Sequence, residues 1–249
     1  MTQKIHFITY GDRKFKRSKD RITREAQETG WFDSIKTYAP ENLDKSFWEN
    51  FGDVLKQRRG GGYWIWKLNI IQQRLRDISD GDILVYIDSG CIINKLGGDR
   101  FHEYINQLNE SDEGIISFKM KYIEREWTVK EILEHFKIDI NSDIATSGQY
   151  VGGILIMKKC EKLKDTLDLY YNTLLHDRQF ATDFYNNNNQ HSFFRDNRHD
   201  QSVFSIIRKI KGSLIIDDET DFGIKSKGEK RCGSELSKRY PFWATRLRM

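Results

Sequence analysis

The sequence predicts an α/β protein with a mostly parallel central sheet and helices on both faces of that sheet. The main observation is the run ILVYI at residues 83–87, which is apolar without alternation and lies between turn signals. Such a run is typical of a strand buried on both faces, as in the middle of a parallel sheet. The chain also opens with two strand patterns that alternate with two helix patterns, which favours helices packed on a parallel sheet.

The elements of that opening follow from their residues. Residues 4–10, KIHFITY, are rich in β-forming side chains and run into a Gly-Asp turn. Residues 17–30 predict a helix that ends on a glycine, the usual C-terminal stop. Residues 32–38 predict a second strand, which Pro40 ends, and residues 41–56 carry apolar residues at helical spacing.

A block rich in glycine and aromatic residues, RRGGGYWIWK, follows at residues 58–67. Arg58 and Lys67 bracket glycines that allow backbone amides to approach a phosphate, so the block predicts a diphosphate site. It is not a P-loop, because the Gly-Lys-Ser/Thr ending is missing. The alternative is a turn whose aromatic side chains fill the core. A helix pattern at residues 68–78 leads into the central strand.

The second half of the chain continues the alternation of helices and strands. Helices are predicted at residues 97–108, 127–137, 158–175 and 198–210. Strands are predicted at residues 114–118 and 213–216. Residues 147–157, SGQYVGGILIM, begin polar, and the glycine pair at 152–153 then opens an apolar strand, so close packing against the backbone is expected there. Residues 217–249 are expected to be mainly a loop or tail that wraps back on the rest. No internal repeat or linker divides the chain, so a single domain over residues 1–249 is expected.

The amino-acid composition indicates which ligands and which cell compartment suit the protein. Charged residues are frequent but nearly balanced, with a formal net charge of +4, which suits a modest anionic ligand better than nucleic acid. The three cysteines lack metal-ligand spacing and predict free thiols in a reducing compartment. The sequence has no signal-peptide pattern and no membrane-span pattern, so a cytoplasmic location without a transmembrane segment is expected.

The central strand ends in Asp88, Ser89 and Gly90. In open α/β sheets, ligands bind in the crevice beyond the carboxyl ends of the strands. An acid beside a glycine can there hold a metal ion or a sugar hydroxyl while the backbone passes close by. Asp88 could also merely cap the turn, but its position after a wholly apolar strand favours a functional role.

Six sequence blocks occur in a characteristic order: TYG, GGGYWIWK, YIDSGC, EREWTVKEIL, SGQYVGGILIMKK and RHDQSVFSII. This set resembles the GT-A-fold glycosyltransferases, and most of all bacterial and large-virus sequences with GYWIWKP, YLDAG and HDQS blocks. The resemblance spans about residues 4–210. It implies a Rossmann-like domain that transfers a sugar from a UDP- or GDP-sugar to a hydroxyl of a glycan or polysaccharide acceptor.

The resemblance also implies roles for individual residues. Asp200 is expected to face the reacting sugar as general base. If configuration is retained, Asp200 or Gln201 would instead stabilise the sugar cation. The residues expected to bind the donor are Thr9, Tyr10, Gly11, Arg58, Lys67, Asp88, Ser89, Gly152 and Gly153.

Asp88 stands in the place of a metal-binding DxD motif, so the resemblance implies Mn²⁺ or Mg²⁺ on the donor diphosphate. The motif is incomplete, because Tyr86 lies two residues before Asp88 and Gly90 two residues after it. The sequence after Ile210 also lacks the histidine that many metal-dependent relatives supply. A single carboxylate is a weak site for these ions, so metal dependence is an open alternative.

A non-catalytic nucleotide- or nucleic-acid-binding module is the alternative to a transferase. The basic tail and the tryptophan and tyrosine cluster motivate it, and it predicts salt-sensitive binding to single strands. The balanced charge and the buried strand patterns argue against it, so no nucleic-acid partner is expected.

Overall fold

The computed structural model describes residues 2–247 of the chain. Met1, Arg248 and Met249, which belong to the predicted domain and its tail, lie outside the described residues. The strands are β1 (Ile5–Tyr10), β2 (Ser34–Tyr38), β3 (Ile83–Ile87), β4 (Ile92–Ile93), β5 (Ile115–Ile123), β6 (Gly148–Tyr150), β7 (Ile154–Lys158), β8 (Leu214–Asp217) and β9 (Phe242–Trp243). The helices are α1 (Lys16–Thr29), α2 (Lys45–Leu55), α3 (Gly60–Tyr63), α4 (Trp66–Asp77), α5 (Gly98–Glu110), α6 (Lys130–His135), α7 (Asp143–Thr146), α8 (Glu161–His176), α9 (Asp200–Lys211) and α10 (Glu235–Lys238).

Seven of the strands in the described chain form one sheet in the order β2-β1-β3-β7-β5-β6, with β8 paired to β5. Strands β1, β2, β3, β5 and β8 run in one direction, and β6 and β7 run against them. The predicted class, a mostly parallel α/β sheet, is therefore confirmed, with β3 in its interior. Strands β4 and β9 form a separate two-stranded sheet.

Apolar clusters cover both faces of the sheet, as predicted. Every residue of β3 is buried. Leu84 and Tyr86 face a cluster formed with α2, α4, α8 and α9. Ile83, Val85 and Ile87 face a second cluster formed with α1 and α5. Because successive side chains of a strand point to opposite faces, a run without polar residues requires helices on both.

Two of the predicted elements differ from the structure near the candidate site. The apolar strand predicted after the glycine pair is β7, and the polar residues before the pair form a further strand, β6, so the chain breaks between the two around Gly152 and Gly153. This break lets β5 pair with β7 in its first half and with β6 in its second, so β5 continues to Ile123 instead of ending at 118. The helix predicted at 198–210 begins at Asp200, because the preceding His199 has a positive φ of 59°.

Other boundaries shift for local reasons. The helix predicted at 41–56 begins at Lys45, because Pro40–Asn42 forms a separate 3₁₀ turn. The helix predicted at 127–137 covers only Lys130–His135 and follows another 3₁₀ turn.

The C-terminal segment returns to the end of β3. Strand β9 pairs antiparallel with β4, which directly follows the Asp88 turn. Beyond β9, the Thr245 hydroxyl and the Leu247 amide both donate hydrogen bonds to the Gly90 carbonyl, at 2.9 and 2.8 Å. The tail thereby places Arg246 next to the candidate site. None of the helices within residues 2–247 is long and apolar enough to span a bilayer.

Candidate active site

Asp88 lies at the carboxyl end of β3, where the buried strand reaches the surface. Its backbone amide donates to the Gly153 carbonyl at 2.8 Å, and its side chain is 36% exposed. The Tyr86 hydroxyl, two residues earlier on the same strand face, donates a short hydrogen bond to Asp88 Oδ1. Asp88 is therefore an oriented carboxylate with access to solvent.

Lys67 extends from α4 into the interior and is 4% exposed. Its Nζ atom donates to Asp200 Oδ2 at 2.6 Å and to the Gly152 carbonyl at 2.8 Å. It also lies 3.7 Å from Asp88 Oδ1 and 5.3 Å from the centre of the Tyr86 ring. One buried ammonium thus joins the two acids that the sequence singled out.

The charges of this cluster are mutually dependent. Burial disfavours the Lys67 ammonium, but attraction to Asp200 and Asp88 outweighs burial and raises the pKa of Lys67. Burial raises the pKa of Asp200, and contact with Lys67 opposes that rise. Lys67 therefore stays charged at neutral pH, and Asp200 depends on it for a counter-charge.

Gly152 and Gly153 allow two site side chains to approach the backbone. A Cβ atom at Gly153 would lie 2.7 Å from Asp88 Oδ2, and one at Gly152 would lie 2.9 Å from the Cβ of Gln201. The Gly152 amide donates to Gln201 Oε1 at 3.0 Å, and Gln201 Nε2 donates to Gln149 Oε1 at 2.6 Å. Both ends of the Gln201 amide are thus engaged within the chain.

Substituting Gly153→Ala is expected to displace the Asp88 carboxylate, because the new Cβ would lie 2.7 Å from Oδ2 while Tyr86 holds Oδ1 by a hydrogen bond. A misplacement of about 1 Å within an active site can cost ~10²-fold in rate, so we expect a loss of that order in turnover. Gly52→Ala is the control, because its nearest neighbour would be 3.8 Å from the new Cβ. Steady-state turnover and thermal unfolding of both variants test this. Full activity in Gly153→Ala would contradict the close approach.

The block at residues 58–67 forms a left-handed turn. Gly60, Gly61, Gly62, Tyr63 and Trp64 all have positive φ, which glycine adopts readily and other residues rarely do. The amides of Gly61 and Gly62 donate to carbonyls at the start of the same turn. These amides therefore serve the turn, and the part of the block that reaches the acids is Lys67.

One aromatic residue of the block, Trp66, packs against the end of β1. Trp66 stacks on Tyr10 with ring centres 3.6 Å apart, and its indole nitrogen donates to the Gly60 carbonyl at 2.9 Å. Arg58 is exposed. Arg59 pairs with Asp183 at 2.7 Å. The turn thus fixes the Trp66 ring beside the end of β1.

Asp183 ties this turn to the start of α9. It accepts hydrogen bonds from Arg59 at 2.7 Å and from the Tyr63 hydroxyl at 3.1 Å. The His199 ring nitrogen also lies 2.9 Å from its carboxylate, and that ring stacks on Tyr63. His199 is in a strained conformation directly before Asp200, so these contacts fix where Asp200 enters the site.

The other predicted donor-binding residues are placed by backbone contacts. The Thr9 hydroxyl donates to the Ile87 carbonyl at 2.8 Å. The Gly11 amide donates to the Tyr38 carbonyl at 3.1 Å. The Ser89 carbonyl accepts from Arg21 at 2.8 Å. These residues lie at or beside the carboxyl ends of β1 and β3, and their role toward a donor stays a prediction.

Sequence reasoning missed a buried polar network behind the site. Glu124 is fully buried and accepts from Lys209 at 2.9 Å and from Gln149 at 2.9 Å. The neighbouring Arg208, also fully buried, donates to the Val151 carbonyl at 2.9 Å. This network connects α9 to β6 and to the residues before the glycine pair. The sequence signal for it is that Arg208 and Lys209 are charged residues within the otherwise amphipathic helix α9.

The residues near Asp88 do not by themselves make a metal centre. Within residues 2–247, no group of three His, Cys, Asp or Glu side chains is arranged to hold an ion. At Gly90, where a second acid of a DxD motif would stand, a side chain would point at the Arg246 backbone, 3.6 Å from its Cα. Magnesium requires near-octahedral oxygen coordination, so a bound ion would take nearly all ligands from substrate and water.

Comparison with solved structures identifies the fold. One similar structure is that of a glycosyltransferase involved in the glycosylation of the major capsid of PBCV-1. It gives a TM-score of 0.53 and 14% identity, and the match covers 96% of this chain and 92% of that one. Mouse xyloside xylosyltransferase 1 gives TM-score 0.52 and 10% identity over 96% of both chains. The galactosyltransferase LgtC gives 0.51 and 9%, covering 96% of this chain and 86% of that one.

These likenesses confirm that the chain has the GT-A fold. No protein-family model matches the sequence, and no curated protein matches it significantly. At these identities the comparison concerns the fold, so the function has to be argued from the site.

Proposed function

We propose that this chain is a glycosyltransferase that moves a sugar from a nucleotide-diphosphate sugar to a hydroxyl of a glycan or polysaccharide acceptor. The observation that carries the proposal is the cluster of Asp88, Lys67 and Asp200 at the carboxyl end of the central strand. Ligands of open α/β sheets bind at this edge. The GT-A fold supports the same reaction class by analogy.

In the proposed reaction, the bond from the anomeric carbon to the donor phosphate breaks, and a bond from that carbon to the acceptor oxygen forms. The bonding electron pair of the broken bond leaves with the nucleoside diphosphate. For inversion we assign Asp200 as general base, with its Oδ1 receiving the acceptor proton, because Lys67 binds Oδ2. For retention, Asp200 or Gln201 would face the sugar cation. We prefer Asp200, because the Gln201 amide is already engaged at both ends.

The roles of Asp88 and Lys67 are assigned from the solvent exposure of their side chains. Asp88 is the accessible acid and is assigned to a hydroxyl of the donor. Lys67 is buried, so we assign it as a positioning residue that holds Asp88 and Asp200 at fixed separation. The donor is a UDP- or GDP-sugar, and the remaining residues proposed to line its pocket are Thr9, Tyr10, Gly11, Arg58, Ser89, Gly152 and Gly153.

We assign no step to a metal ion, because the donor set at Asp88 is a single carboxylate. The Mn²⁺ or Mg²⁺ predicted from sequence is tested directly by adding each ion to the binding experiment below. A cytoplasmic location is part of the proposal. It is supported by Cys91, Cys160 and Cys232, which are free thiols in the described chain, as a reducing compartment would keep them.

A thermal-shift screen of nucleotides and nucleotide sugars, with EDTA, Mn²⁺ or Mg²⁺, tests the proposal. A ligand at about 100 times its Kd should add roughly 2.7 kcal/mol of stability. We expect a shift with UDP or GDP and with one of their sugars, followed by release of the diphosphate when an acceptor is added. Asp88→Asn should reduce the shift with the sugar nucleotide. Asp80→Asn, whose side chain is 88% exposed, is the control.

The screen also separates the alternative functions. If the protein binds a nucleotide but transfers no sugar to any acceptor that is added, a non-catalytic nucleotide-binding module is favoured. No shift with any nucleotide, together with salt-sensitive binding to single-stranded nucleic acid, would favour a nucleic-acid module.

A further inference from the structure

Arg246 is held against the turn that follows the central strand. The residues on either side of it donate hydrogen bonds to the Gly90 carbonyl, from the Thr245 hydroxyl and the Leu247 amide. Arg246 itself has a positive φ of 54°, which is uncommon for a residue with a side chain. Its side chain is exposed. The tail therefore holds the Arg246 backbone beside Gly90, which follows Asp88 by two residues, and leaves the Arg246 side chain exposed.

Arg198 lies two residues before Asp200 and is half-buried. Its guanidinium packs 4.2 Å from the ring centre of Trp127 and 4.3 Å from that of Tyr122. Lys67 contacts both Asp88 and Asp200, so Arg198 before Asp200 and Arg246 beside the turn after Asp88 border the same cluster. Burial, and then repulsion from Arg246, lower the pKa of Arg198. Stacking on two rings holds the guanidinium plane in place without an acid.

Neither arginine has a carboxylate partner among residues 2–247 within the 4.0 Å of an ion pair. Other arginines of the chain do: Arg59 pairs with Asp183, Arg100 with Glu219 and Arg195 with Glu126. Two cations without acidic partners, both bordering the crevice, lower their energy when an anion binds between them.

We propose that Arg198 and Arg246 form the binding site for the diphosphate of the donor and supply the positive charge that neutralises it as it leaves. This inference rests on the proposed glycosyl transfer and names which part of the ligand these residues bind. Guanidinium groups suit the site, because their planar donors match phosphate oxygens bidentately. The site is separate from the diphosphate site predicted around Arg58 and Lys67, where the neighbouring Arg59 is already paired with Asp183.

Calorimetric titration with inorganic pyrophosphate in the presence of EDTA tests the site without requiring turnover. We expect wild-type protein to bind pyrophosphate without added metal. Arg246→Gln and Arg198→Gln should each weaken binding about 10- to 100-fold, the range expected for hydrogen bonds to a charged group. Arg239→Gln, an exposed arginine of the same tail, is the matched control and should bind like wild type.

The outcomes are distinguishable. Pyrophosphate binding that needs Mn²⁺, or equal affinity in Arg246→Gln and wild type, overturns the site. Because Arg246 is exposed, its variant should keep the wild-type melting temperature and decides the question even if Arg198→Gln misfolds. Arginine-dependent binding of pyrophosphate, UDP and GDP without turnover of any nucleotide sugar would uphold the anion site and contradict the transferase proposal.

Discussion

Replacing Lys67 with methionine is expected to destabilise the protein by about 3–5 kcal/mol, the usual cost of removing one partner from a buried ion pair. Methionine preserves much of the side-chain length but leaves Asp200, 6% exposed, without its counter-charge. The hydrogen bond to the Gly152 carbonyl is also lost. Urea unfolding at neutral pH measures the change in the free energy of unfolding. Lys45→Met is the matched control, because the Lys45 side chain is 92% exposed.

The same variant should show a defined pH dependence. Burial already raises the pKa of Asp200, and without Lys67 nothing close by opposes that rise. A group whose folded pKa lies above its unfolded pKa adds stability at low pH, and that stability is lost as pH rises through the folded pKa. Lys67→Met should therefore be closest to wild type in acid and fall behind toward neutrality. Adding Asp200→Asn should recover part of the loss, and a strictly additive double variant would contradict the pairing.

The Lys67 result bears on what the sequence could predict. Strand β3 and the emergence of Asp88 at its end were predictable, because five apolar residues without alternation have few other structural solutions. The contact between Lys67 and Asp200 joins residues 133 positions apart, and a local sequence pattern cannot predict a contact over that separation. The block also singled out Lys67, and the structure buries its ammonium between Asp88 and Asp200, while its role toward a donor stays a prediction.

The glycines show the same limit in another form. A glycine pair at 152–153 predicted close approach, but not that Asp88 and Gln201 would be the approaching groups. The glycines at 60–62 predicted an unusual backbone, and the structure confirms positive φ there. Their amides, however, are used within the turn. Close approach is a local property of glycine, whereas the identity of the neighbour is set by topology.

Arg246 was beyond sequence reasoning for a related reason. Its segment follows a short edge strand, β9, whose pairing with β4 involves only two residues of each strand. Such a short pairing leaves no periodicity to recognise, and the tail was expected to be mainly loop. Its position beside Gly90 depends on long-range hydrogen bonds, one of which joins residues 155 positions apart.

Replacing Asp200 with asparagine is expected to lower turnover by ~10²–10⁴-fold, the contribution of a positioned general base. Asparagine keeps the shape and can still accept a hydrogen bond from Lys67, and Asp88, 3.7 Å from Lys67, remains as a counter-charge. The fold should therefore persist with reduced stability, and donor affinity should change little. Because burial raises the pKa of Asp200, the acid limb of wild-type turnover should lie above the usual range of an aspartate. Turnover measured against pH, with isothermal titration of the donor, tests both points.

Asp217→Asn, at a side chain that is 88% exposed, controls for the loss of one acidic charge. Gln201→Ala provides the second comparison, because its amide contacts Gly152 and Gln149. A larger loss in Asp200→Asn than in Gln201→Ala is expected if the carboxylate reacts and the amide positions the backbone. Near-wild-type turnover in Asp200→Asn would remove Asp200 from the chemistry. The buried Lys67–Asp200 pair would then be a structural anchor for α9, and Asp88 would be the one acid of the cluster left to act on the substrate.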